Sequence, residues 1–493
     1  MKLSKGQILQ LDVTSLAYGG LGVSHYNDIT IFVKGGLPGD KLKAKIYKKK
    51  KNYLEAYSLE KIEKSDYYTN PQCEHYGICG GCSLQDLNYN EQLNQKYLQV
   101  KDLFHRIGKF SSIPINNIIG CEQHYGYRNK MEFSYSSNKW IVDLNEKNQE
   151  IDSTAFGLHV KSRFDKIVDV NDCHINGKLS NKIFQFIKQN LYKYNIIPFD
   201  IKKRTGFLRN VIIRQGHATN EVLINFIITE SNNSCLAPIA KSLVSEFDEI
   251  KSVLTSTVKR NSGSSFSDEE KILWGEDYIT EKIDENIFKI SSNSFFQTNS
   301  KQAKVLYDSI IQIAGFKGNE IVYDLYCGTG SIGLHIAKYV KMVYGIEVVM
   351  SAVIDAIENA KNNKINNIHF FHGDLINVFN SSEELKLIPK PDIIILDPPA
   401  FAKHIKVKHK ALQGYKRLNT RAIQQIKPNG LLFTFSCSQV IDQNLFKHMV
   451  LSSAIIAGRN VSILKQLHQP ADHPINIFHP ESEYLKGLIL KVE

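Results

Sequence analysis

The sequence predicts a multidomain chain: a small OB-like β-barrel over residues 1–65, a mixed α+β domain over 66–290, and a Rossmann-like α/β domain over 291–493. Three observations predict it. In the first sixty-odd residues, short apolar segments alternate with glycine turns. From about 125 to 290, short strand-like segments surround one helical pattern. From about 290, strands and helices alternate regularly, which is the pattern of a doubly wound sheet.

Composition agrees with folded domains. The chain has 493 residues, 42% of them apolar, and no long tract has the low hydrophobicity of a disordered segment. The start, MKLSKGQILQ, has no apolar run after its lysines, so no signal peptide is expected. No apolar stretch approaches a membrane span. Eight cysteines are sparse for this length, which argues against a disulfide framework and suits the cytoplasm. The net charge of +11 is compatible with a polyanionic partner.

In the first domain, QILQLDV, DITIFV, DKLKAKIY and YLEAYSL read as strands between the turns GGLG and KGGLPGD. Lys48 to Lys51 form a basic run. Read alone it is a solvated hairpin tip; on a small barrel it is also how OB-like modules hold RNA. The segment resembles a TRAM domain, an RNA-binding module.

Cys73, Cys79 and Cys82 follow in PQCEHYGICGGC, with five and then two residues between them. The glycines Gly80 and Gly81 permit a tight bend, so three thiolates can face one centre. Cys173, in KIVDVNDCHI, is a fourth candidate. The spacing accepts zinc or an iron–sulfur cluster equally well.

In the central domain, KMEFSYS, KWIVDL, AFGLHV and KIVDV read as strands. A helix from about Lys178 to Tyr194 and a hairpin of NVIIRQG and EVLINFIIT follow. Arg128, Arg163, Arg204, Arg209 and Arg214 are interleaved with Tyr125, Tyr127, Phe164 and Phe207. Arginine forks grip phosphates and rings stack on splayed bases, so single-stranded RNA fits this pattern; ordinary surface arginine is the plainer reading.

The third domain begins with SKQAKVLYDSIIQIAG, a helix with Ser300 as N-cap and Gly315 as its stop. Strand IVYDLY then runs into CGTGSIG. Gly328, Gly330 and Gly333 spell G-x-G-x-x-G, which alone suggests a dinucleotide. Asp324 inside the first strand, Asp374 ending the third and Asp397-Pro398-Pro399 ending the fourth together favour S-adenosylmethionine. Glu347, ending the second, suits ribose hydroxyls for either cofactor.

FFQTN, DLYCGTG, GIE, GD and LDPP, together with the cysteine pattern and the first domain, resemble the TRAM-bearing 23S ribosomal RNA uracil-5-methyltransferases from residue 1 to about 399. The resemblance implies a class I methyltransferase fold and a methyl donor held by Gln297, Tyr326, Glu347 and Asp397, with Asp374 alongside and Gly328 and Gly330 in the turn. It also implies a [4Fe–4S] cluster on Cys73, Cys79, Cys82 and Cys173, acting as a staple. Beyond Pro399 the segments DPPAF, GYKRLN, FTFSCS, QPADHP and EYLKGL resemble a ribosomal RNA cytosine-5-methyltransferase instead.

Both families place a cysteine in an S-C motif after the strand that follows D-P-P, and Cys437 holds that place. A thiolate added at C6 of a pyrimidine makes C5 nucleophilic, and a base then removes the C5 proton. Cys437 is therefore read as nucleophile rather than small apolar filler, and Cys327 as packing. Asp472 is the candidate base, with Glu481 and Glu483 as other late acids.

Three readings stand. The first is C5 methylation of a uridine in large-subunit ribosomal RNA. The second is the same reaction on a cytidine. The third is a non-catalytic RNA-binding protein. Each expects RNA as partner, with neither DNA nor membrane.

Overall fold

The computed structural model describes residues 3–17, 19–50, 52–106, 115, 117–141, 153–161, 163–260, 267, 269–374, 388–399, 401, 408–438, 441, 443–468 and 486–493. Among them, no helix is long and apolar enough to cross a membrane.

The first sheet has six strands: Ile8–Asp12, Ser15–Leu16, Gly22–Tyr26, Ile29–Lys34, Lys41–Lys49 and Tyr53–Glu63. Period-two alternation buries Leu9, Leu11, Ile31, Val33, Leu42 and Ala44 on one face. Lys48 and Lys49 lie at a hairpin end. Lys48 pairs with Glu55 at 2.8 Å and Lys49 donates to the Leu3 carbonyl at 2.7 Å.

A helix that the apolar pattern did not reveal, Tyr89–Arg106, comes next. Its start is marked by Asn88, whose Oδ1 accepts the Glu91 amide at 2.8 Å, as an N-cap does.

The central sheet has seven strands. In spatial order they are Glu269–Gly275, Ile250–Thr257, Val222–Ile228, Leu208–Gln215, Lys130–Ser136, Ala155–Val160 and Arg163–Asp169. The hairpin expected of NVIIRQG and EVLINFIIT is present as antiparallel pairing of Leu208–Gln215 with Val222–Ile228. Every residue of Val222–Ile228 is buried, because the strand is central and covered. Phe133, Phe156 and Phe184 cluster in the same core, Phe156 stacked on Phe184 of the helix Lys178–Lys193. The expected strand KWIVDL is a single bridge from Lys139 to Ile167; residues 142–144 lie outside the described set.

We number the strands of the last sheet in chain order: β1 Ile321–Leu325, β2 Met342–Glu347, β3 Ile368–His372, β4 Ile393–Leu396, β5 Gly430–Ser436, β6 Val461–His468 and β7 Lys486–Val492. Their spatial order is β3-β2-β1-β4-β5-β7-β6. Strands β1 to β5 pair in parallel, and β7 is antiparallel to both β5 and β6. This departs from the 3-2-1-4-5-6 order of dinucleotide-binding sheets. The sheet is continuous across residue 399, because β4 pairs with β1 on one side and β5 on the other.

The helix Ser300–Ala314 ends at Gly315, which is left-handed at φ 58°. Its N-cap is Asn299 rather than Ser300: Asn299 Oδ1 accepts the Gln302 amide at 3.0 Å, and the Ser300 hydroxyl instead donates to Glu281 at 2.7 Å. Asn129 joins this region to the central sheet. Its backbone amide donates to the Thr298 carbonyl, and its side-chain amide to the Gln297 carbonyl and the Ser300 hydroxyl, all at 2.8 Å.

Candidate active site

Parallel strands leave their ligand site beyond their carboxyl ends. Asp324, Glu347, Asp374 and Asp397 all stand there. Asp324, in β1, is 1% exposed. Its Oδ2 accepts the Gly333 amide at 2.9 Å, so it holds the helix that follows the glycine turn. Burial, with the charges of Asp397 and Glu347, pushes its carboxyl up to about 7. Asp397, after β4, is pushed up to about 6 by burial. Glu347, ending β2, accepts the Val348 and Val349 amides on Oε1 at 2.7 and 2.9 Å, and the Gly328 amide on Oε2 at 3.1 Å. It therefore fixes the turn as well as facing the site.

The turn itself requires its glycines. Gly328 and Gly330 have φ of 55° and 78°, and a Cβ on Gly330 would stand 2.7 Å from the Phe370 ring. Tyr326 adopts the same left-handed region without that freedom, at φ 64°. Burial and the charges of Asp374 and Glu347 raise its phenol, which places the exposed Asp374 beside it. Gln297 is positioned by its main chain, through Asn129. Its side chain makes no hydrogen bond among the described residues.

Cys437 follows β5. Its thiol donates to the Pro398 carbonyl at 3.3 Å, so the S-C motif and the D-P-P turn meet. Burial and the Asp397 charge push the thiol up to about 12; Lys486 and a Tyr415 hydrogen bond pull it back. Both were missed as individual residues in the sequence, although GYKRLN and EYLKGL contain them. Lys486 is fully buried, which is rare for a lysine, and donates to the Ser438 carbonyl at 2.9 Å. The Tyr415 hydroxyl donates to the Pro399 carbonyl at 3.2 Å. Cys327 is buried with its thiol raised well above the ordinary value, as a packing residue is. Asp472, Glu481 and Glu483 lie outside the described residues.

Cys73, Cys79, Cys82 and Cys173 are free thiols on neighbouring loops. The main chain bends at Gly80, whose amide reaches the His159 carbonyl at 2.9 Å. Asn181 holds the Cys173 backbone, at 3.3 Å to its amide and 3.0 Å to its carbonyl. Burial raises all four thiols, Cys79 to about 11 and Cys173 to about 12; the charges of neighbouring cysteines raise Cys79, Cys82 and Cys173 further, and those of Glu74 and Asp172 raise Cys73. Among the described residues, the metal-type side chains that lie within 4.8 Å of one another are Asp284, Asp308 and His335. Lys304 already pairs with both acids there.

The arginines do not form one surface. Arg214 is 3% exposed and donates to the Ser294 carbonyl at 2.7 Å. Arg163 is forked onto Asp165 at 2.9 Å, Arg209 lies over the Phe199 ring, and Phe207 belongs to the core.

A parallel sheet ending in a reversed strand, a glycine turn and acids at the strand ends define an S-adenosylmethionine-dependent methyltransferase. Comparison with known proteins carries this further. Residues 2–58 match the TRAM domain, 240–386 the tRNA (uracil-5-)-methyltransferase family, and 316–476 a general methyltransferase domain. An uncharacterized RNA methyltransferase of Chlorobaculum tepidum is 34% identical over 82% of this chain and 85% of its own length. One from Bacteroides thetaiotaomicron is 35% identical over 79% of this chain and 86% of its own. The fold is that of the Pyrococcus abyssi tRNA (uracil-54, C5)-methyltransferase solved with S-adenosyl-L-homocysteine: TM-score 0.68 and 23% identity, covering 98% of this chain and all of that one. The chain belongs to the S-adenosylmethionine-dependent RNA methyltransferases of the tRNA and rRNA uracil-5 family.

Proposed function

We propose that the protein methylates C5 of a uridine in large-subunit (23S) ribosomal RNA, in the cytoplasm, through a covalent adduct on Cys437. The observation that carries this is the 3.3 Å contact of Cys437 with Pro398, which sets the sulfur at the D-P-P turn. S-adenosylmethionine supplies an electrophilic methyl group, for which Gln297, Tyr326, Gly328, Gly330, Glu347, Asp374 and Asp397 form the pocket. Cys437 gives its proton to solvent and its sulfur adds to C6, leaving C5 electron-rich. C5 then attacks the methyl carbon, the methyl–sulfonium bond breaks and S-adenosylhomocysteine leaves; a base removes the C5 proton and the sulfur–C6 bond breaks, releasing the thiolate. Asp472 is the proposed base. The buried Lys486 ammonium offsets the thiolate charge. The target base must leave its stack to reach the sulfur.

A cytidine target is the second reading. Asp397 holds a proton up to about pH 6 beside Cys437, and such an acid suits the N3 of cytosine, which gains basicity in the adduct.

Cys73, Cys79, Cys82 and Cys173 would hold the [4Fe–4S] cluster that the sequence resemblance implies; four thiols on neighbouring loops, all raised by burial, support a shared centre. The cluster's chemistry here would be structural: held by the four thiolates, it would offset part of their charge and tie the 73–82 loop to Cys173. Iron and sulfide content of anaerobically purified protein tests this, and one zinc per chain would overturn it.

The test of function is anaerobic incubation with unmodified large-subunit ribosomal RNA and labelled S-adenosylmethionine, followed by nucleoside analysis. Labelled 5-methyluridine is expected, and none with Cys437→Ala. Labelled 5-methylcytidine would select the second reading. Cofactor and RNA binding without product would select a non-catalytic RNA-binding protein. Asp472→Asn at the normal rate would remove Asp472 as base.

A further inference from the structure

A cleft of about 760 Å³ opens between the cysteine loop, the helix Tyr89–Arg106 and the segment 121–127. It is separate from the sheet ends that carry the methyl-transfer residues, and its size is that of a small-ligand site. Its lining is unusual for a surface of a chain with net charge +11: among the described residues, no lysine, arginine or aspartate lines it. The one acid, Glu91, is 7% exposed and taken up internally, by Gln95 at 2.6 Å and Asn94 at 3.0 Å. The other lining side chains are aromatic rings and carboxamides, with Thr69, Ser83, Leu84, Leu87 and Ile175 and the thiols of Cys82 and Cys121. Tyr67 is 44% exposed. Tyr89 and His124 stack with centroids 3.7 Å apart, and Tyr125 and Tyr127 stand nearby. Gln72 and Asn90 are exposed there and make no hydrogen bond among the described residues.

This chemistry selects its ligand. Among the described lining residues, a phosphate or carboxylate would find no lysine or arginine inside, and an ammonium would find no free carboxylate. A flat, neutral, aromatic group with donors and acceptors along its edge would find ring faces to stack on and amides to read that edge. Nucleobases have that chemistry, and unstacked RNA bases are recognised in this way. The cations sit outside. Lys301 donates to Gln123 at 2.9 Å, Lys64 lies 4.7 Å over the Tyr68 ring next to Tyr67, and Arg128 is close enough to Cys82 to lower its thiol. A backbone phosphate therefore has its partners at the rim while the base goes in.

The cleft is also tied to the methyl-donor side. Cys121 lines it, and Asn299 Nδ2 lies 3.7 Å from the Cys121 sulfur. We propose that this cleft binds an unpaired nucleotide of the substrate RNA, separate from the target base, by stacking it against the Tyr67, Tyr89 and His124 rings. The proposal rests on the RNA-methyltransferase reading for its ligand and on the cleft for its place.

The test uses the full chain and large-subunit ribosomal RNA transcribed with 4-thiouridine. Light-induced cross-links are mapped by peptide mass spectrometry, and affinity is measured for wild type, Tyr67→Ala, His124→Ala and His124→Phe. Cross-links to peptides containing Tyr67 or His124–Tyr127 are expected. Removing a stacking ring should weaken RNA binding about tenfold, within the range for a lost base stack. His124→Phe, which keeps a ring, should bind as wild type. Cross-links confined to other regions, with full affinity in both alanine variants, would overturn the proposal. Neither readout needs methyl transfer, so a protein that cross-links here but yields no methylated nucleoside would sink the proposed function and leave the cleft standing.

Discussion

The ammonium of Lys486 donates to the Ser438 carbonyl at 2.9 Å, one residue beyond Cys437, and is fully buried. A head group buried so completely needs a hydrogen-bond partner, and the Ser438 carbonyl is one. The resting thiol of Cys437 is protonated at neutral pH, since burial and Asp397 push it up to about 12. Lys486 is the cation in the same strand pair that favours the thiolate.

Lys486→Met should therefore slow both turnover and alkylation of Cys437. Alkylation is read by mass spectrometry with iodoacetamide at a series of alkaline pH values. In the variant the profile should move to higher pH, and Lys486→Arg should recover part of the rate. An unchanged profile with normal folding would remove the electrostatic role.

Asp324 gives a stability prediction. Its folded pKa, about 7, lies above the unfolded value of about 4. The folded state then binds the extra proton between those values. Its contribution to stability is complete below about pH 4 and is lost as pH rises through about 7. Asp324→Asn should flatten that part of the melting-temperature profile. An equally steep profile in the variant would assign the slope to other groups.

The same acids make donor binding proton-linked. A sulfonium brought to Asp324 and Asp397 favours their charged forms. S-adenosylmethionine affinity should rise as pH goes from about 6 to about 7, with proton release in calorimetry in buffers of different ionisation enthalpy. The uncharged sulfur of S-adenosylhomocysteine should show a smaller dependence. Identical pH profiles for the two would refute the linkage.

Gly330→Ala should break the turn. Its φ of 78° costs a non-glycine residue about 1–2 kcal/mol, and the new Cβ would meet Phe370 at 2.7 Å. A lower melting temperature and at least about tenfold weaker donor binding are expected, equivalent to about 1.4 kcal/mol. Calorimetry measures both, and wild-type values would show that the loop can relax.

Much of this was legible in residues. The segments IVYDLY, MVYGIEV and DIIILDPP are strands because they are near-continuous apolar runs, the mark of a parallel sheet buried on both faces. The acids at their ends meet because parallel strands end on one side. The contact between Cys437 and Pro398 was implied by the order of motifs. Lys486 was not legible: only the antiparallel return of β7 beside β5 shows that this lysine is buried. Arg214 misled for a similar reason, since a central strand carried it into the interior. The helix Tyr89–Arg106 escaped because its strongest sign is local, Asn88 followed three residues later by Glu91.

Asn129 spends all its donors on the segment 297–300. One side chain thus ties the central sheet to the segment that leads into the methyltransferase domain. With a nucleotide seated in the cleft and another at Cys437, the span between them is set by the protein rather than by the RNA. The enzyme then works as a ruler, and its choice of target is in part a measurement of length.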